Sequence, residues 1–104
     1  MIRKAFKMQL FEGFEQEYKR RHDEIWPELK ALLKDTGVSD YSIFLDPETL
    51  TLFGVMNVAD EAAQKELAEH PVMKRWWAHM KDIMKSNPDN SPISKPLEQV
   101  FHMD

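Results

Sequence analysis

The centre of the chain, residues 41–58, reads YSIFLDPETLTLFGVMNV and decides which fold the flanking segments can join. Apolar side chains alternate over 41–45, and a second apolar run extends over 50–58. Between these runs, residues 46–49 (Asp-Pro-Glu-Thr) have the composition of a turn. Two such runs joined by a short turn predict a β-hairpin.

The second strand of this hairpin is apolar on both of its faces. Alternation places Leu50, Leu52, Met56 and Val58 on one face and Phe53 and Val55 on the other. A sheet that helices cover on one side only has a polar second face. A ligand pocket or a partner subunit is therefore expected to cover the second side.

The segment before the hairpin has helical spacing over residues 14–24. Pro27 disfavours helical geometry at Trp26, so the helix is expected to break there and restart at Pro27. Gly37 is predicted to end this second piece as a left-handed cap.

The segment after the hairpin repeats this plan. Asp60 is predicted to cap a helix over 61–69, and Pro71 to begin another whose inward residues continue to Met84. Strands are predicted over residues 2–11 and from Pro96 to the end of the chain. The order βαββαβ predicts an α+β, ferredoxin-like fold as one domain over residues 1–104.

Composition excludes several classes of function. The net charge is −4 with no basic block, which disfavours nucleic acid as a partner. No apolar run could span a membrane or serve as a signal peptide. The chain has no cysteine, which excludes disulfides and fits a cytoplasmic protein. The four histidines are scattered, so no metal site is predicted.

The sharpest chemical feature is Tyr18 and His22, which lie four residues apart and so share one helix face. The rest of this helix face is apolar, and a histidine in such surroundings is either a packed core residue or an acid/base group facing a pocket. The charged residues around it, Arg20, Arg21 and Asp23-Glu24, are predicted to be solvated.

Three further aromatic residues are candidates for a binding site. Trp76 and Trp77 point about 100° apart on a helix, so one indole can pack in the core while the other faces a cavity. Both could equally be packing residues; alternatively, an indole offers a flat apolar wall for a sugar ring and an N–H for a hydroxyl. Tyr41 could lie in a polar pocket or on the surface.

Several blocks together carry a family resemblance. They are Arg3-Lys4-Ala5-Phe6, Tyr18 with Arg20-Arg21-His22, Ile25-Trp26-Pro27-Glu28-Leu29, residues 41–46, Arg75-Trp76-Trp77 and residues 87–92 (Asn-Pro-Asp-Asn-Ser-Pro). In order and spacing these blocks closely resemble the L-rhamnose mutarotases, over essentially the whole chain.

The resemblance implies a ferredoxin-like subunit that forms a homodimer, a dimeric α/β barrel, through its sheet. It implies a cytoplasmic isomerase that interconverts the α and β anomers of L-rhamnose without a cofactor. The family's proton donor falls on His22, and its sugar-binding positions fall on Tyr18, Tyr41, Trp76 and Trp77.

Two other functions compete with this one. A dimeric ferredoxin-like oxygenase or haem-degrading protein would have similar helices and tryptophans over its sheet, but would need a ligand for haem iron or an oxidisable substrate. A non-catalytic sugar-binding domain would have the same pocket, yet would leave anomer exchange at its uncatalysed rate.

Overall fold

A computed structural model describes all residues from Met1 to Asp104, and each of its two crossovers contains a pair of helices. The strands are β1 (Ile2–Gln9), β2 (Val38–Asp46), β3 (Thr51–Val58) and β4 (Lys95–Leu97). The helices are α1 (Glu15–Asp23), α2 (Pro27–Asp35), α3 (Glu61–Glu69) and α4 (Pro71–Met80).

The four strands form one sheet in the order β2-β3-β1-β4, with every neighbouring pair antiparallel. The two terminal strands thus lie side by side, and the hairpin adds to the free side of β1. This arrangement confirms the predicted ferredoxin-like βαββαβ fold.

The predicted helix signals are found where the sequence places them. Pro27 and Pro71 occupy the first turns of α2 and α4, where a missing N–H costs no hydrogen bond. The Asp60 side chain accepts a hydrogen bond of 2.9 Å from the N–H of Ala62 and caps α3. Gly37 has a φ of +88°, the left-handed conformation predicted for it.

The core lies between one face of the sheet and the helices. Its buried residues include Met8, Leu10, Tyr18, Leu29, Leu52, Val72, Trp76, Met80, Ile83 and Met84. None of the four helices is long and apolar enough to cross a membrane.

The opposite face of the sheet is apolar and uncovered within the subunit. Phe44 pairs with Phe53 across β2 and β3, and Phe53 pairs with Lys7 across β3 and β1, so these residues share that face. Phe44 is 64% exposed. The sequence predicted such a face, because β3 has apolar residues on both of its sides.

Two predicted boundaries at the C-terminal end are wrong. Helix α4 ends at Met80 because the chain there turns to follow the edge of the sheet: Ile83 O accepts a hydrogen bond from Phe11 N, and Lys85 N donates to Gln9 O. Strand β4 covers only Lys95–Leu97 because its pairing with β1 ends at Leu97 opposite Ala5.

Strand β2 also begins earlier than the alternation suggests. It starts at Val38, and its pairing with β3 is irregular between Ser39 and Ser42, where Asp40 has a φ of +48°. The extra residue places Tyr41, Ile43 and Leu45 on the helix-covered face, which brings Tyr41 toward α1 and α4.

Candidate functional site

His22 and Tyr18 form one unit on α1. Their rings are stacked, with centroids 4.2 Å apart and planes 23° apart. His22 Nδ1 lies 3.1 Å from the main-chain carbonyl oxygen of Tyr18. A carbonyl oxygen can only accept, so Nδ1 carries the proton and, in the neutral ring, Nε2 keeps its lone pair.

Trp76 on α4 faces this pair edge-on. Its ring centroid lies 5.4 Å from that of His22 and 5.1 Å from that of Trp26, both in T-shaped geometry. Trp76 is 6% exposed, whereas Trp77 is half-buried. Trp76 belongs to the core, yet both indoles line a cavity next to it, so the predicted division into one core and one cavity residue is not seen.

Tyr41 reaches the same region from the sheet. Its ring lies 6.2 Å from the ring of Phe6, edge to face. The Phe6 ring in turn covers Gly54, where an added Cβ would overlap its far edge. Glycine at this point of β3 thus leaves room for the far edge of the Phe6 ring beside Tyr41.

A cavity of about 360 Å³ brings all five candidate residues together, since Tyr18, His22, Tyr41, Trp76 and Trp77 all line it. Its apolar lining includes Phe6, Met8, Ile43, Met73, Met80 and Met84. Asn87, Ser91 and Ser94 supply polar groups from the loop before β4. A small cavity with mostly apolar walls and a few polar groups is typical of a small-molecule site.

A larger cavity of about 710 Å³ adjoins it between α1, α2 and β2. Tyr18, His22, Tyr41 and Trp76 line both cavities, but Trp77 lines only the smaller one. The imidazole of His22 therefore lies where the two spaces meet, and the smaller one contains the complete candidate set.

Burial decides the charge of the imidazole. Partial burial of His22 lowers its pKa from the ordinary value, and this effect outweighs the hydrogen bond to Tyr18 and the charge of Asp23, which both act to raise it. His22 is therefore neutral at neutral pH, with Nε2 ready to accept a proton.

Both phenols have raised pKa values. Burial raises the pKa of Tyr18, and the nearby Tyr41 adds to this rise. Burial also raises the pKa of Tyr41 to about 12, although 40% of that residue remains exposed. Both hydroxyls keep their protons at neutral pH, so each can donate a hydrogen bond to a bound oxygen.

The Tyr18 hydroxyl is open to this cavity. That hydroxyl makes no hydrogen bond within the chain, and the only fully buried side-chain polar atom without a partner is Gln64 Nε2. The Tyr18 hydroxyl is therefore accessible and not sealed in the core. The ring is buried, at 8% exposure of the residue, while its polar end is left for a ligand.

Arg21 fixes α1 against the end of α4, contrary to the expectation of a solvated charge. Its side chain is only 11% exposed, and it donates to Glu17, to Asp82 and to the carbonyl oxygen of His79. Hydrogen bonds from Arg20 and Arg21 lower the pKa of Glu17 to about 2. This network holds the helix that carries His22.

The sequence did not identify the loop and methionine walls of the cavity as part of the site. Residues 87–92 form one of the blocks that carry the family resemblance, but nothing in their spacing showed that they line the same cavity as Trp77. No group of three or more His, Asp or Glu side chains is arranged to hold a metal ion.

Comparison with known proteins gives consistent matches. The family model for L-rhamnose mutarotase matches residues 3–103. An L-rhamnose mutarotase from Agrobacterium fabrum is 66% identical over 95% of this chain and 92% of its own length. A crystal structure of an L-rhamnose mutarotase from Formosa agariphila covers both chains completely at 56% identity, with a TM-score of 0.93.

More distant structures share the fold alone. A crystal structure of an antibiotic biosynthesis monooxygenase matches with a TM-score of 0.53 at 12% identity, over 96% of this chain and 99% of the other. At that identity the similarity describes the arrangement of helices and strands, and it says nothing about chemistry.

Proposed function

Because this chain belongs to the L-rhamnose mutarotase family, we propose that it interconverts the α and β anomers of L-rhamnose, with His22 as its acid/base group. It is an isomerase acting on a carbohydrate. The observation that carries the assignment of His22 is its Nδ1–H bonded to the Tyr18 carbonyl, which leaves Nε2 free in the cavity.

The reaction needs two proton movements. Nε2 of neutral His22 accepts the proton of the anomeric hydroxyl, and the imidazolium so formed delivers that proton to the ring oxygen as the bond between C1 and the ring oxygen breaks. The resulting aldehyde rotates about C1–C2 and closes again on its other face. On reclosure His22 accepts the proton of the hydroxyl whose oxygen attacks C1 and returns it to the aldehyde oxygen, so the enzyme ends as it began.

Burial of His22 supports this cycle. A lowered pKa keeps the imidazole neutral before reaction and makes the imidazolium a stronger acid once it has formed. The hydroxyls of Tyr18 and Tyr41, which hold their protons, donate hydrogen bonds to the sugar oxygens as charge develops on them.

The aromatic walls fit a 6-deoxy sugar. The indoles of Trp76 and Trp77 offer apolar faces to the C–H bonds of the ring, while Met80 and Met84 offer soft apolar contacts for the methyl group. The proton transfers and contacts described here use only side chains of this chain and require no cofactor.

The whole chain acts as one L-rhamnose mutarotase domain, 1–104, and works as a homodimer. Support for the dimer comes from the uncovered sheet face, where Phe44, Phe53 and Val55 lie with no helix over them. We place the enzyme in the cytoplasm, in keeping with the absence of cysteine.

NMR saturation transfer between the two anomeric protons of L-rhamnose tests the function. We expect catalytic amounts of protein to transfer saturation far faster than buffer alone. Binding of L-rhamnose with exchange at the uncatalysed rate would instead identify a sugar-binding domain, and absence of both would contradict the proposal.

A further inference from the structure

The loop of residues 86–94 is folded by its own hydrogen bonds. Asn87 N donates to the Ser91 carbonyl oxygen at 2.7 Å, and Asn87 Nδ2 donates to Ser91 Oγ at 3.1 Å. Asn90 has a φ of +73°, and a bridge joins Ser86 to Pro92. The loop is therefore held in shape before any ligand binds.

This loop presents unused polar atoms to the smaller cavity. Asn87 and Ser94 both line that cavity. Both side-chain hydrogen bonds of Asn87 are made by Nδ2, to Ser91 Oγ and to the Pro92 carbonyl oxygen, which leaves Oδ1 free to accept. The Ser94 hydroxyl makes no hydrogen bond within the chain.

The rest of that cavity offers a whole sugar few polar partners. His22 is engaged with the anomeric centre, the hydroxyls of Tyr18 and Tyr41 can each bind one sugar oxygen, and much of the remaining wall is methionine and aromatic surface. A pyranose hydroxyl held against such a surface loses its hydrogen bonds to water without replacement. Polar groups opposite the apolar wall would restore them.

Resting on the proposed function, we propose that Asn87 Oδ1 and the Ser94 hydroxyl bind hydroxyl groups of the sugar ring away from C1, and so help to determine which sugars are accepted. The apolar wall then takes the C–H bonds and the methyl group. The site thus recognises a 6-deoxypyranose through apolar contacts on one side of the cavity and hydrogen bonds on the other.

The test compares L-rhamnose with its 2-deoxy, 3-deoxy and 4-deoxy analogues by NMR chemical-shift titration of the protein. We expect Ser94→Ala to weaken L-rhamnose binding about 2- to 10-fold, the range for one neutral hydrogen bond, and to leave the affinity for one deoxy analogue unchanged. Asn87→Ala should behave in the same way toward one analogue. A variant that only loosens the loop would weaken all four sugars equally.

Ser39→Ala is the matched control, because Ser39 lines the larger cavity and not the smaller one. It should keep the parent's affinities for all four sugars. Loss of discrimination in Ser39→Ala, equal weakening of all sugars in the loop variants, or parent affinities in those variants would each overturn the inference.

Anomer exchange is measured in the same samples to separate the two proposals. A parent that catalyses exchange while Ser94→Ala and Asn87→Ala keep full discrimination overturns the role of the loop alone. A parent that neither binds L-rhamnose nor accelerates its exchange overturns both proposals.

Discussion

The imidazole of His22 lies flat against the phenol ring of Tyr18, at 4.2 Å between centroids, and its Nδ1 faces the carbonyl oxygen of the same tyrosine at 3.1 Å. One residue thus fixes both the plane of the ring and the position of its proton. An α-helix makes residues four apart neighbours, which allows this contact. The only nitrogen left for a substrate is Nε2.

Replacement of His22 should abolish catalysis more than binding. General acid–base catalysis contributes about 10²–10⁴-fold, so His22→Asn should lower the rate of anomer exchange by that order. Asparagine still forms hydrogen bonds but does not titrate near neutral pH, so it separates proton transfer from positioning. Exchange is measured by NMR saturation transfer at saturating L-rhamnose.

His102→Asn is the matched control for this substitution. His102 lies at the opposite end of the chain, where it contacts Arg3 and Asp104 and does not line the cavity. Its variant should exchange anomers at the parent rate. A folded His22→Asn protein as fast as the parent would transfer the acid/base role to Tyr18 or Tyr41.

The pH dependence of activity should follow the neutral form of His22. Because burial lowers the pKa of His22, the base form persists to lower pH than in a free imidazole, whose pKa is about 6.5. Activity should therefore fall on acidification with a midpoint below that value. A midpoint above it, in kcat/KM against pH, would contradict a lowered pKa for His22, because that profile reports the ionisation of the free enzyme.

The same shift makes the fold sensitive to acid. Unfolded His22 binds a proton more readily than folded His22, so between the two pKa values the unfolded state holds more protons and the free energy of unfolding rises with pH. This contribution is complete above about pH 6.5 and is lost as the pH falls through the lowered folded pKa. Urea unfolding of parent and His22→Asn should therefore diverge as the pH is lowered from about 7.5 to about 5.

The two tryptophans should differ in how much their removal costs the stability of the fold. Trp76 is buried against His22 and Trp26, so Trp76→Ala should reduce the free energy of unfolding by about 3–5 kcal/mol. Trp77 is half-buried, so Trp77→Ala should weaken L-rhamnose binding at a smaller cost in stability. Unchanged affinity in a folded Trp77→Ala protein would show that this indole contributes to packing and not to sugar binding.

The sequence predicted the fold well because periodicity reports which face of an element is apolar. It also placed His22 beside Tyr18, since helical spacing fixes that neighbour relationship. It could not place the end of α4 or the length of β4, because those depend on distant partners: Ile83 bonds to Phe11, and β4 stops where β1 no longer pairs with it. Apolar and polar residues continue to alternate beyond Leu97, but those residues have no neighbouring strand to pair with.

Association through the sheet should depend on Phe44. We expect the parent to sediment as a dimer at micromolar concentration, with an interface of roughly 1,200–2,000 Å² or more. Phe44→Glu places a charge on the face shared with Phe53 and should shift the protein to monomer. Ala31→Glu, on the exposed side of α2, is the control and should stay dimeric; a monomeric parent would leave the apolar face unexplained.

Gly54 should prove necessary for the shape of the site, although it is in a regular strand. A methyl group there would overlap the Phe6 ring, which lines the smaller cavity and contacts Tyr41. Gly54→Ala should therefore push that ring into the cavity, weaken L-rhamnose binding, and cost about 1–3 kcal/mol of stability through overpacking. Shortening the obstructing side chain in the double variant Gly54→Ala with Phe6→Leu should recover part of both losses. If the second substitution instead adds its full cost to the first, in urea unfolding and in sugar titration, then the two residues are not coupled and the glycine is there for another reason.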